Sequence, residues 1–205
     1  MLKMPKRTLQ RQRNSDNNPR IGVRGTLYAI PFYSVPTSSV TIITGHLVFS
    51  TLHINDAAGA YTRMVDMGVE PFLVSSTVEA VLAQRLVRTL CPHCKQAYQP
   101  DKAEIPADFP IDQVTAAKPL FRAVGCRECR QVGYTGRVGI FELLVTTEQI
   151  RELSQQRAST WHITQAAAEQ GMRNLRQDGW LKVLAGRTTI EEVARVTKGS
   201  IAMKR

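Results

Sequence analysis

The chain has 205 residues, 43% of them hydrophobic, with 13 glycines, 10 prolines and a formal charge of +10. That composition excludes a wholly disordered or fibrous chain and allows one or two modest cores. The charge excludes less than its size suggests: residues 1–24 carry seven basic side chains against Asp16, so +6 of the +10 is local. A nucleic-acid partner is therefore not expected from the net charge alone.

In chain order, residues 1–43 are basic and rich in Asn, Pro and Ser, without a sustained period. They read as mostly disordered, with one short strand over Thr26 to Ile30. Pro31 and Pro36 interrupt the apolar run from Leu27 to Thr44, leaving it short of a membrane span, and no cleavable leader is expected. From Gly45 to His53 a short apolar run ending in polar residues suits a buried strand. Asn55 or Asp56 then caps a helix over Ala57 to Met67, which Gly68 ends.

Pro71 opens a second segment, in which Val74, Val78, Val81, Leu82 and Leu86 recur at helical spacing, predicting one helix from Pro71 to Leu90. Arg85 and Arg88 would then sit three apart on its surface, where an ordinary solvated face is the plain alternative. The helix would run into Cys91-Pro-His-Cys94, the first of two Cys-x-x-Cys knuckles; Cys126-Arg-Glu-Cys129 is the second, and together they hold every cysteine in the chain.

Four thiolates in paired knuckles suit a tetrahedral Zn²⁺, which lacks a d-electron preference against that geometry. Nothing in the sequence points to an oxidising compartment, which argues against two disulfides. Four sulfurs complete the shell, so His93 is not needed and no position is left for a reactive water. The zinc is expected to be structural, stapling the 31-residue excursion from Lys95 to Gly125. Pro100, Pro106, Pro110 and Pro119 predict loops and short pieces within it.

Beyond the second knuckle, Val138 and Ile140 alternate on a strand that returns to the metal region. Four helices are predicted over Thr147 to Gln156, Thr160 to Gln170, Asn174 to Ala185 and Ile190 to Val196. Thr189 and Glu192 form a capping-box pattern, and the short single-stripe helices are expected to pack as a small bundle. A frayed basic tail is expected after Thr197.

Several of these stretches carry a family resemblance. The run Thr44-Gly-His-Leu-Val-Phe-Ser-Thr-Leu-His-Ile-Asn-Asp-Ala-Ala-Gly59 closely resembles the histidine box of the type II secretion and type IV pilus assembly ATPases. Asp66-Met-Gly-Val-Glu-Pro-Phe-Leu73, Ala83-Gln-Arg-Leu-Val-Arg88, Gly133-Tyr-Thr-Gly-Arg-Val-Gly-Ile-Phe-Glu142, and Asp178-Gly179 before Thr189-Ile-Glu-Glu-Val193 are similar to that family in the same order.

The resemblance implies an α/β fold: a partial RecA-like nucleotide-binding core, an inserted four-cysteine zinc subdomain and a C-terminal helical bundle. It divides the chain into 1–43 (atypical), 44–90 (core with the histidine box), 91–135 (zinc-binding subdomain), 136–197 (strand and helices) and 198–205 (tail). It implies that His53 is the catalytic histidine facing the terminal phosphate of a nucleotide, that His46 is the earlier histidine of the same box, and that Arg85 and Arg88 lie near a subunit interface and the cofactor. It implies zinc on Cys91, Cys94, Cys126 and Cys129, with ATP and Mg used by the full-length family. The implied setting is a homo-hexamer in the cytoplasm, peripheral to the inner membrane, working with secretion or pilus platform proteins.

The chain departs from the family pattern in the elements that handle phosphate and magnesium. No Gly-x-x-x-x-Gly-Lys-Ser/Thr loop occurs in the 205 residues, nor the acidic strand end that would hold magnesium. The expectation is a C-terminal fragment without ATPase activity of its own. The reading from a different class is a stand-alone zinc-ribbon module binding nucleic acid or protein, its basic arm adding electrostatic affinity.

Overall fold

The computed structural model describes residues 25–29, 49–101, 105–115 and 118–198. Of the predictions for residues 1–43, only the short strand falls on described positions; the expected disorder there and the frayed tail lie outside them. Strand β1 (Gly25–Ala29) matches the predicted strand within one residue. It pairs antiparallel with β2 (Phe49–Leu52) on one side and β3 (Ala80–Leu90) on the other, and β3 pairs antiparallel with β6 (Tyr134–Val145). The sheet order is therefore β2-β1-β3-β6, while β4 (Gln96–Tyr98) and β5 (Leu120–Arg122) form a separate two-stranded ladder inside the excursion.

The expected helix from Pro71 to Leu90 is corrected by the structure: only α2 (Pro71–Thr77) is helical, and β3 follows at once. Ser75, Ser76 and Thr77 turn their hydroxyls back onto the carbonyls of Phe72 and Leu73, and Val78 is extended. Such back-bonding favours a helix end over continuation. Beyond it, the Val-rich run has a period of two as well as one of 3.6, and Val81 and Ala83 are buried as alternate strand residues. Arg85 and Arg88 accordingly stand on a strand, not on a helix face.

The second correction concerns the strand of the histidine box. It was expected to be buried; instead β2 lies at the sheet edge and alternates between exposed and half-buried, with Phe49 64% exposed. Hydrophobicity predicts strand type but not which faces find a cover.

One core fills the inner side of the sheet. Val81, Val87, Ile140 and Leu144 meet Ala60, Tyr61 and Met64 of α1 (Gly59–Asp66), Ile150 of α3 (Glu148–Gln155) and Ile163 of α4 (Thr160–Glu169). Leu175, Trp180 and Val183 of α5 (Leu175–Leu184) and Ile190 and Val193 of α6 (Ile190–Val196) complete it. These four C-terminal helices match the predicted ones within two residues. Helix α3 packs against α2 and α4, whereas α5 and α6 pack on each other and on strands β6 and β3.

Among the described residues, β1 pairs with β3 from Ala80 to Gln84, and the rest of that edge of β3 meets other partners. The α5–α6 turn and α6 supply them. The Arg88 amide donates to Glu192 Oε1, the Thr188 hydroxyl donates to the Arg88 carbonyl, and the Leu90 amide donates to the Arg187 carbonyl. Thr189 caps α6 by accepting from the Glu192 amide. The Glu192 side chain does not complete the expected box: it turns instead to Arg88 and Arg195. A full reciprocal capping box is found at Asn174 and Gln177 on α5.

Candidate functional site

The cysteine knuckles are built on the ends of the two long strands. Strand β3 delivers Cys91 directly after Leu90, and the second knuckle leads into β6 through the turn at residues 130–133. Because β3 and β6 are adjacent and antiparallel, with Leu90 opposite Tyr134, the knuckles must meet. The Cys91 amide donates to the Gly133 carbonyl and locks the junction.

All four Sγ atoms lie within 4.8 Å of one another. Sγ separations are 3.9 Å for Cys91–Cys126, 3.8 Å for Cys94–Cys129 and 3.7 Å for Cys126–Cys129. These are too long for disulfides, and the cysteines are free. They agree with the edge of about 3.8 Å of a tetrahedron whose metal–sulfur distance is about 2.3 Å.

Backbone amides complete the donor set's electrostatics. Gly125 N donates to Cys94 Sγ, while Cys126 N and Gly133 N donate to Cys129 Sγ at 3.2 and 3.1 Å. Burial pushes the Cys129 thiol up, but those two amides and the neighbouring thiols outweigh it and bring it down to about 6. A thiolate held by N–H donors is the form a metal requires. The residues present therefore fit a four-coordinate metal, with Cys91, Cys94, Cys126 and Cys129 as ligands; His93 is exposed outside the set. A metal held by four sulfurs supplies cross-linking rather than water activation.

The ladder β4–β5 and the excursion dock onto the C-terminal helices. Arg176 grips Asp108 through two bonds, Nε–Oδ2 at 2.6 Å and Nη2–Oδ1 at 3.1 Å, and Trp180 Nε1 donates to the same Oδ2 at 3.0 Å. Burial raises the Asp108 carboxyl, yet the Arg176 guanidinium and the indole N–H hold it below its ordinary value. Phe109 meets the Trp180 ring edge-on at 5.3 Å. Lys95 Nζ donates to the Gly186 carbonyl and lies over Phe121. Sequence reasoning missed this anchor: Asp108 has no local partner, and only the i,i+4 pair Arg176/Trp180 hinted at a stacked cation.

Of the two histidines, His46 lies outside the described residues. His53 is exposed just past β2. The turn after it is held from the sheet: Arg85 Nη2 donates to the Asn55 carbonyl at 3.0 Å and to Asn55 Oδ1 at 3.2 Å. Asp56 Oδ1 accepts from the Gly59 amide, and the Ala57 amide donates to Glu142 Oε1 at 2.7 Å. Burial raises the Glu142 carboxyl above its ordinary value, against the pull of the Ala57 and Leu175 amides.

Arg88 is engaged elsewhere. It forms a two-atom grip on Glu192 Oε2, with Nε at 3.0 Å and Nη2 at 2.8 Å, and lies 4.0 Å above the Tyr134 ring. Arg85 is thus joined to the histidine turn, and Arg88 to the α6 and metal-knuckle side of the sheet.

The family model described as type II/IV secretion system protein matches residues 35–195. The type II secretion system protein E of Pseudomonas aeruginosa is 54% identical over 157 residues, covering 76% of this chain and 30% of that protein. The type II secretion system ATPase E of Vibrio cholerae is 48% identical over 164 residues, 77% of this chain and 31% of its own length. The type IV pilus assembly ATPase PilB of Myxococcus xanthus is 44% identical over 153 residues, 74% of this chain and 27% of its own. The match spans under a third of the length of these relatives.

Proposed function

The chain belongs to the type II/IV secretion system protein family, and from that premise we propose that it is the histidine-box, metal-binding and C-terminal helical portion of an ATPase that drives pseudopilus or pilus assembly. In this reading residues 44–90 belong to a RecA-like core, 91–135 form the zinc-binding subdomain and 136–197 supply the last strand and a helical bundle. The working unit is a hexameric ring, cytoplasmic and peripheral to the inner membrane, that acts with secretion or pilus platform proteins. His53 faces the terminal phosphate of the nucleotide, His46 is the earlier histidine of the same box, and the segment from Arg85 to Arg88 lies near the boundary between subunits.

The observation that carries the reading is the match of residues 35–195 to the family model, together with 44% to 48% identity over about three quarters of the chain to relatives whose names specify secretion and pilus ATPases. The four cysteines hold zinc, which cross-links the ends of β3 and β6. The histidine turn and the docked helices then present His53 from a braced sheet.

Taken alone, this polypeptide does not turn over ATP. Phosphoryl transfer depends on a phosphate-cradling loop with its lysine and on magnesium ligands, and the 205 residues contain no sequence of that kind. The test is a phosphate-release assay on the purified chain with ATP and Mg, together with metal analysis. The expected result is one zinc per chain and hydrolysis no faster than a heat-denatured control. Turnover above that control would overturn the inactivity, and salt-sensitive DNA binding without nucleotide dependence would favour a stand-alone zinc module.

A further inference from the structure

The turn after His53 is held by two side chains that each reach past it to a C-terminal helix. Arg85 donates through Nη2 to Asn55 and through Nη1 to the carbonyl of Val196, the last residue of α6. That carbonyl is among those a helix leaves without an internal partner. Glu142 accepts from Ala57 on one carboxylate oxygen and, at 3.2 Å on the other, from the amide of Leu175 in the first turn of α5. Glu142 faces Ala83, two residues before Arg85, on the adjacent strand, so the two links run side by side.

The chemistry makes both links stiff. Glu142 is 3% exposed, and a carboxylate so placed is tolerable only while its oxygens are filled by donors. Moving either amide away would strand a charged oxygen in apolar surroundings. The guanidinium fork fixes direction as well as distance, which an ammonium does not.

We propose that Arg85 and Glu142 are positioning residues, which set the placement of the His53 imidazole by tying its turn to the C-terminal end of α6 and the N-terminal end of α5. A displacement of these helices is thereby delivered to the histidine. What the imidazole does at a phosphate rests on the function proposed above; the linkage is measured without nucleotide, so either can fail while the other stands.

The experiment records the histidine ring resonances of the whole chain by ¹H–¹³C correlation, assigned with single His→Gln variants. Arg85→Lys and Glu142→Gln should each shift the His53 resonance while those of His93, in the metal knuckle, and His162, on α4, stay in place. Val193→Ala, which loosens α6 where it packs on Gly179, should also shift His53. In an Arg85→Lys background that response should shrink to roughly half or less. The proposal is overturned if His53 does not respond in folded variants, if all three histidines shift together, or if the Val193→Ala response is the same in both backgrounds. Should Glu142→Gln fail to fold, Arg85→Lys and the Val193→Ala cycle decide the matter alone.

Discussion

One residue shows how a charge can be kept inside this molecule. Glu192 is 1% exposed, and Arg195 and Arg88 surround its carboxylate together with the Arg88 amide. Burial alone would raise its pKa, but the two arginines prevail and bring it down to about 2 from 4.5. With the folded value below the unfolded one, its contribution to stability is complete above about 4.5 and is lost as pH falls toward about 2. Chemical denaturation of the parent and of Glu192→Gln, followed from pH 7 to pH 2.5, should show the variant about 2 kcal/mol less stable at neutrality. The gap should close on acidification; a gap independent of pH would remove the ion pairs as its cause. At the knuckles, Cys91→Ser and Cys126→Ser should each abolish metal binding, read as zinc content of the purified chain. They should also increase hydrogen exchange from Arg88 to Glu142, because metal binding and local folding are one equilibrium. Unaltered exchange in a metal-free variant would show that the strands alone hold the junction.

The helix pair α5–α6 is set by a close approach that the sequence does not advertise. A Cβ placed on Gly179 would lie 2.5 Å from Val193 Cγ1. Glycine there lets the helices come together, while the neighbouring Asp178 donates nothing to the helix interface and instead accepts from the Phe141 amide, closing part of the β6 edge at 3.0 Å. Gly179→Ala should therefore cost about 1–3 kcal/mol by overpacking, even though alanine is the better helix former. Combining it with Val193→Ala should recover part of that loss, and thermal melts of the four-member cycle would show the recovery. Strict additivity of the two substitutions would contradict the contact. The same pair of helices carries Trp180, which with Arg176 anchors Asp108 of the excursion, so the element that closes the sheet also holds the loop between the two cysteine knuckles.

Among the described residues, one face of the sheet is covered and the other is not. Phe141, Leu143 and Val145 are 41%, 52% and 56% exposed and alternate along β6. Register places Val145 in one row with Ala80 and Phe49, and Leu143 in one row with Leu82. A contiguous apolar sheet face is an aggregation liability. Leu143→Thr with Val145→Thr should raise the concentration at which the chain stays monodisperse in light scattering, while the melting temperature falls by no more than about 4 °C. A large loss of stability would mean that this face is covered in solution.

The sequence by itself determined the family, the four-cysteine set and the four C-terminal helices. Each depends on residue type at short spacing: thiol pairs three apart, apolar stripes of period 3.6, and caps such as Asn174 and Thr189. The sequence also placed a strand at Thr26 to Ile30. It did not determine where α2 yields to β3, because Val74, Val78, Val81 and Leu82 fit a helical stripe while Val81, Ala83 and Val87 fit the extended period, and the outcome is decided by the pairing of β3 with β1 and β6. Nor did it show Asp108 meeting Arg176, or Arg85 and Glu142 spanning from the histidine turn to α6 and α5. Those partners are separated by 30 to 111 residues. Only packing brings such groups together, since no local preference records which distant donor fills a buried acceptor.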